Sequence, residues 1–298
     1  MEKDQYTMQD PRSQYPVMDI PPQKQDEPGL DAELIPKADH GESTYKGSGR
    51  LKGRKALITG GDSGIGRAVA IAYAREGADV ILNYLPSEET DAKETIRVCQ
   101  EAGIHAEGCA GDISSEEFCK TLIDEAMRRI GGIDILVNNA GKQVYVPDIE
   151  QLSTDQLVKT FQTNIFAMFW LVKYALPHLK PGSAIINTTS IQSYQPSPGL
   201  LDYASTKGAI TTFTKGLSAQ LIEKGIRVNG VAPGPIWTPL QPSYGQSDEK
   251  LVKFGQSAPI GRAGQPAELA PAYVYLASQE SSYVVGEILG VTGGEFLS

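Results

Sequence analysis

The sequence predicts an α/β fold, a parallel sheet covered by helices on both faces. Three observations carry this. From residue 51 onward, short apolar runs alternate with amphipathic segments of ten or more residues. The runs are almost continuously apolar, as strands buried on both faces must be. A glycine cluster joins the first such run to the first such segment.

Residues 1–50 stand apart. They hold ten acids against six bases and six of the 19 prolines, so −4 of the net charge of −9 lies there. Pro21-Pro22, Pro28-Gly29 and Gly47-Ser48-Gly49 break any period. This composition fits a disordered tail. It fits equally an extended strap on the body or on a neighbouring subunit, anchored by Tyr6, Tyr15, Leu30, Leu34, Ile35 and Tyr45. Residues 51–298 have the size of one α/β domain.

Residues 55–59 read as a buried strand ending at Gly60-Gly61, and 64–76 as a helix with Ile65, Val69, Ala72 and Tyr73 on one face. Residues 80–84 are strand, and 87–102 a polar helix opened by a serine and early acids. The alternation continues with strands at 105–109, 133–138, 184–189, 227–232 and 288–291. Helices fall at 114–130, largely through 154–179, at 202–224 and at 266–277. Residues 233–259 show no period. Long irregular segments inside compact domains tend to be functional, so 235–257 is expected to order as a lid over substrate.

The 27 basic residues against 36 acidic ones argue against a nucleic-acid or anionic-membrane partner. The apolar run 165–172 is too short to span a bilayer. The opening MEKDQYTMQD lacks the apolar stretch of a secretory signal, so a cytoplasmic location is expected. Cys99, Cys109 and Cys119 have no paired spacing, and His40, His105 and His178 have no metal-ligand spacing; no metal is expected.

The glycine cluster is Thr59-Gly60-Gly61-Asp62-Ser63-Gly64-Ile65-Gly66. Gly60 permits a tight exit from the strand, Gly64 lets a pyrophosphate approach the backbone, and Gly66 lets the helix sit close to the sheet. The helix start then offers amides and a positive dipole end to the phosphates. The spacing is neither the usual dinucleotide fingerprint nor a P-loop. At the end of the second strand an acid would hold a ribose 2′-hydroxyl and an arginine a 2′-phosphate. Here Asn83-Tyr84-Leu85 supplies neither, while Glu88 and Glu89 would repel a phosphate. NAD is therefore favoured over NADP, although Arg67 is near enough to reverse the preference.

Tyr203 and Lys207 share one face at the start of a helix, so phenol and ammonium can meet. An ammonium favours the phenolate, which suits proton exchange with a carbinol. Ser190 ends a strand on the rim where α/β sheets bind ligands and could hydrogen-bond a substrate oxygen, or simply cap the next turn. Asn138-Asn139-Ala140-Gly141 ends another strand on that rim. Asn164, among apolar neighbours, is either a satisfied core amide or a helix irregularity at a site.

Together these residues resemble the short-chain dehydrogenase/reductase family, with Asp112 after the third strand and Pro233-Gly234 followed by Thr238 completing the pattern. The extended N-terminus resembles a bacterial subgroup named for general stress or glucose/ribitol dehydrogenase-like proteins. The resemblance implies a doubly wound, seven-stranded Rossmann-type sheet assembled as a homotetramer. It implies hydride transfer between a nicotinamide cofactor and an alcohol or carbonyl substrate. Tyr203 would be the acid/base, Ser190 would polarise the substrate, and Lys207 would hold the nicotinamide ribose and depress the tyrosine's pKa. Asn164 would support a water-linked proton relay. Gly60, Asp62, Ser63, Gly64, Ile65 and Gly66 would form the phosphate loop, with Tyr84 and Leu85 beside the adenosine ribose. Asp112 and Ile113 would hold the adenine, and Asn139, Ala140 and Gly141 would line its path. Pro233, Gly234, Ile236 and Thr238 would meet the nicotinamide end. Val144, Gln192, Tyr194, Gln195, Trp237 and Tyr244 are candidates for the substrate pocket. An NADPH-dependent carbonyl reductase and a non-catalytic NAD(H)-binding sensor are the alternatives.

Overall fold

The computed structural model describes residues 4–298. Its seven strands are β1 (Lys55–Thr59), β2 (Asp79–Tyr84), β3 (Ala106–Ala110), β4 (Ile135–Asn138), β5 (Ala184–Thr188), β6 (Arg227–Pro233) and β7 (Ile288–Val291). They form one sheet in the order β3-β2-β1-β4-β5-β6-β7, every neighbouring pair parallel. The chain runs outward from β1 to β3 and then returns to lay β4 on the other side of β1. That reversal opens a crevice at the carboxyl ends of β1 and β4.

The helices are α1 (Gly64–Arg75), α2 (Glu89–Gln100), α3 (Glu116–Ile130), α4 (Thr154–Phe161), α5 (Ala167–Ala175), α6 (Leu201–Leu221), α7 (Asp248–Leu251) and α8 (Pro266–Ala277). Strand residues alternate between two cores. Ala56, Ile58, Val80 and Leu82 meet α1, α2 and α8 on one face, whereas Leu57, Ile81, Leu136 and Ile185 meet α3 and α5 on the other. Each such fully buried Leu or Ile contributes about 1.5–3 kcal/mol, which is why the apolar runs form the sheet. Local signals set the helix ends: Ser115 accepts from the Phe118 amide at the start of α3, and Gly131 closes it in a left-handed conformation (φ 69°).

Two differences from the sequence reading matter, and the arm takes one of the alternatives left open for it. The predicted helix over 154–179 is divided by a π-helical turn, Gln162–Phe166, between α4 and α5. The irregular stretch after β6 contains α7 and buries Trp237 completely. The described part of the arm is a strap on its own body. Ile20 and Leu34 join Trp237, Leu251 and Ala263 in a separate apolar cluster. Farther along, buried Glu76 at the end of α1 accepts from Tyr45 Oη and Arg50 Nη2, both at 2.7 Å, and from the Ser48 amide at 2.9 Å. Among the described residues no helix is long and apolar enough to cross a membrane.

Candidate active site

One cavity of about 1200 Å³ fills the crevice, lined by the glycine loop and the segments that follow β2, β3, β4, β5 and β6. Its size suits an extended dinucleotide with a small substrate beside it.

The glycine loop builds one wall. A Cβ on Gly66 would stand 1.8 Å from the Gly60 carbonyl oxygen, so only glycine lets α1 start against the strand exit. Gly64 adopts φ +49°, and a Cβ there would meet Thr238 Cγ2 at 2.9 Å. Asn139 braces the loop from β4, its Nδ2 donating to the Thr59 and Gly60 carbonyls at 3.2 and 3.1 Å.

The loop and the wall beyond it, formed by the ends of β2 and β3, carry Asp62, Glu88 and Asp112, and among the described residues no arginine or lysine. Asp62 is buried, and among the described residues neither carboxylate oxygen has a hydrogen-bond partner. Burial, followed by nearby acids, raises the carboxyl pKa values of Asp62 and Glu88 well above the usual range. Arg67 does not reach this wall; it pairs at 3.0 Å with Glu42 of the arm.

At the other end Ser190, Tyr203 and Lys207 all line the cavity. Lys207 Nζ donates to the Thr188 carbonyl at 2.9 Å and lies 5.3 Å from the Tyr203 ring centre. Burial pushes the Tyr203 phenol up to about 12, partly opposed by the Ser190 hydroxyl. Burial also pushes the Lys207 ammonium down to about 7. Burial is the leading cause of both shifts, and neither carries a contribution from the other group. Ser190 also caps the turn that follows it, accepting from the Gln192 amide at 3.1 Å, while its side of the strand end faces the cavity.

Asn164 sits within the π turn and is fully buried, behind the wall. Its Oδ1 accepts from the Lys142 amide at 2.7 Å, and its Nδ2 donates to the Lys142 carbonyl and Thr206 Oγ1 at 2.9 and 3.0 Å. It is thus both a satisfied amide and a helix irregularity beside the site. Gly66 likewise lies behind the wall, whereas Gly60, Asp62, Ser63, Gly64, Ile65, Tyr84, Leu85, Asp112, Ile113, Asn139, Ala140, Gly141, Pro233, Gly234, Ile236 and Thr238 lie on it.

The substrate-pocket expectation needs correction. Of its six residues only Gln192 lines the cavity; Val144, Tyr194, Gln195, Trp237 and Tyr244 do not. Trp237 is turned into the arm, its indole N–H donating to the Pro36 carbonyl at 2.8 Å. Gln195 donates instead to the Phe296 carbonyl at 2.8 Å. Within the expected lid, 235–257, the first half is held by the arm: the Gln25 amide donates to the Pro242 carbonyl at 3.1 Å, and Ser243 Oγ to the Pro28 carbonyl at 3.1 Å. Sequence reasoning missed the wall residues Glu27 and Pro28, which come from the arm, and Gln143, Gln241 and Gln246. Proline and glycine at 28–29 were visible, but not the surface they meet.

These features fit a nicotinamide dinucleotide: a loop that a Cβ would fill, and a buried carboxylate whose oxygens await donors. A family model described as enoyl-(acyl carrier protein) reductase matches residues 60–295. The uncharacterized oxidoreductase YghA of Escherichia coli K12 is 59% identical over 97% of this chain and 99% of its own. The chain belongs to the short-chain dehydrogenase/reductase family. General stress protein 39 of Bacillus subtilis is 49% identical over 94% of this chain and 98% of that protein. Glucose and ribitol dehydrogenase of Daucus carota is 46% identical over 94% and 98%. A short-chain dehydrogenase from Burkholderia cenocepacia, solved in complex with NADP, superimposes with a TM-score of 0.76 at 31% identity, covering 82% of this chain and 98% of its own. The general-stress and glucose/ribitol subgroup is therefore the right one, and the protein is an NAD(P)-dependent oxidoreductase that transfers a hydride between nicotinamide and an alcohol or carbonyl.

Proposed function

We propose that the protein uses NAD to oxidise or reduce a small hydroxylated alcohol or aldehyde. The observation that carries the cofactor preference is the acidic, base-free wall at Asp62 and Glu88. It would accept hydrogen bonds from a ribose diol and repel a 2′-phosphate. The substrate class rests on Gln143, Gln192, Gln241 and Gln246, which line the same cavity as Ser190 and whose amides suit hydroxyl groups. The polyol named for the carrot relative is in keeping with it.

When bound, the nicotinamide supplies the hydride acceptor or donor. In the oxidation direction the Ser190 hydroxyl donates to the substrate oxygen while Tyr203 Oη, as phenolate, takes its proton. Lys207 holds the nicotinamide ribose and, as an ammonium, favours that phenolate. Asn164 fixes the Lys142 backbone beside Lys207 and so supports a water-linked proton relay. Asp112 and Ile113 hold the adenine. Residues 51–298 are proposed as the catalytic domain and 1–50 as its accessory arm. Exposed Leu157, Val158, Phe166 and Phe169 on α4 and α5 and in the π turn between them fit burial in a homotetramer, and three buried free thiols fit a reducing cytoplasm.

The test is a screen of sugars, polyols and aldehydes with both cofactors, alongside calorimetric titration of each. Turnover with NAD(H) on hydroxylated substrates is the expected result. Tighter NADP⁺ binding would overturn the cofactor preference in favour of an NADPH-dependent carbonyl reductase, as the NADP complex of the Burkholderia enzyme would suggest. Binding without turnover of any substrate would leave a sensor.

A further inference from the structure

We propose that the N-terminal arm is part of the cofactor site, with Asp31 a positioning residue for the glycine loop and His40 its resident counter-charge. The proposal rests on the reading that this loop takes the dinucleotide's pyrophosphate, and it is independent of the choice between NAD and NADP.

Asp31 is buried at the start of a single turn of the arm, Asp31–Glu33. Its Oδ2 accepts from the Gly64 amide at 3.0 Å. That amide opens α1 and is among the donors that a helix start leaves without intrahelical partners. Asp31 is itself held from α2, where Asp91 accepts from the amides of Asp31 and Ala32 at 2.6 and 3.1 Å. The arm thereby ties the phosphate loop to the helix that follows β2.

The same stretch grips the opposite side of the cavity. Gly29, at φ +83°, packs so closely that a Cβ would stand 2.8 Å from the Pro239 carbonyl oxygen. Pro28, Gln25 and Pro36 bond to Ser243, Pro242 and Trp237, and Glu27 pairs with Lys142. Residues 25–36 thus cross-brace the phosphate loop and the segment after β6.

A lone carboxylate at a helix start is favourable, yet beside a pyrophosphate site it repels the ligand. His40 resolves the conflict. Its Nε2 lies 2.9 Å from Asp31 Oδ2, and its Nδ1 lies 3.2 Å from Glu42 Oε1. The other charged groups around this pair are Lys37 of the arm, whose Nζ donates to the Asp31 carbonyl at 3.2 Å, Arg67 of α1, which is paired with Glu42, Arg75 of α1, which donates to the Gly41 and Glu42 carbonyls, Asp91 of α2, and Asp62 of the loop. Burial disfavours the imidazolium, but Asp31 and Glu42 outweigh it and raise His40 to about 9. The imidazolium is thus present through neutral pH.

The test is fluorescence titration of NADH and NADPH into full-length wild type, Asp31→Asn and His40→Gln, with steady-state kinetics and melting temperatures. Each variant is expected to weaken binding of whichever cofactor the wild type takes by about tenfold, to raise the KM for cofactor to match, and to keep kcat within about twofold. Wild-type affinity is expected to fall as pH rises through about 9, and His40→Gln to lack that step. A role in packing alone would lower the melting temperature and leave the dissociation constant unmoved in folded protein, and that result would overturn the proposal. If Asp31→Asn does not fold, His40→Gln decides alone. Wild type that binds neither dinucleotide would overturn the phosphate-loop reading as well, whereas wild type that binds with both variants unaffected overturns only this inference.

Discussion

The two ends of the cavity solve different electrostatic problems. At the catalytic end, Tyr203 and Lys207 are buried, and desolvation dominates both pKa shifts, up for the phenol and down for the ammonium. At the adenosine end, Asp31, Asp62, Glu88 and Asp91 crowd together, with His40 of the arm and Arg67 of α1 beside them. The contrast teaches that the proton-transfer pair is set mainly by burial, whereas the phosphate loop is held by charges already in place. Changes at the first end should appear in kcat, and changes at the second in cofactor binding.

The largest expected effect is at the catalytic end. Tyr203→Phe should lower kcat on a confirmed substrate by about 10³-fold while NAD binding, read by calorimetry, stays near wild type. Retained turnover would break the comparison outright. Ser190→Ala should cost less, about 10²-fold in kcat, because it removes one donor to the substrate oxygen and not the proton itself. At the adenosine end, Asp62→Asn combined with Glu88→Gln should shift the ratio of NAD to NADP affinity toward NADP by about tenfold, with kcat little changed. A ratio that stays put would place cofactor selection elsewhere.

The smallest effect is in pH dependence. Asp62 and Glu88 have folded-state pKa values raised above the unfolded ones, so their protonated forms stabilise the cofactor-free protein fully in acid. That contribution is lost as pH rises through the raised values. The melting temperature should therefore decline from about pH 4 to about pH 8, and Asp62→Asn should flatten the decline. Ribose hydroxyls donating to these carboxylates favour the ionised form, so NAD binding should release protons, measurable by calorimetry in buffers of different ionisation enthalpy. Uptake instead of release would reverse the assignment.

The sheet was legible because its strands are apolar on both faces and need no partner residue to be recognised. The stretch 266–277 was legible to the residue, with Pro266 at its first position and a capping box to Glu268. Tyr203, Lys207 and Ser190 could be placed on one rim from spacing and strand ends. Their pKa values could not, because burial is a sum over the whole packed structure. Trp237 was misread because its partners, Ile20, Leu34 and Pro36, are some two hundred residues away in sequence. The role of Asp31 was hidden for the same reason: one acid among ten in a proline-rich arm has no local signature, and only its contact with Gly64 distinguishes it.

The π turn at Gln162–Phe166 has a consequence for how this chain tolerates length changes. Such a turn holds one residue more than regular helix, and each helical residue advances the chain by about 100°. Deleting a residue there would let α4 and α5 join as one unbroken helix, at the cost of swinging Asn164 away from Lys142 and Thr206. The surplus residue acts as a phase-setter, keeping the apolar stripe of α5 on the sheet and a buried amide beside Lys207. A shortening that looks harmless by helix propensity would be felt at the catalytic end.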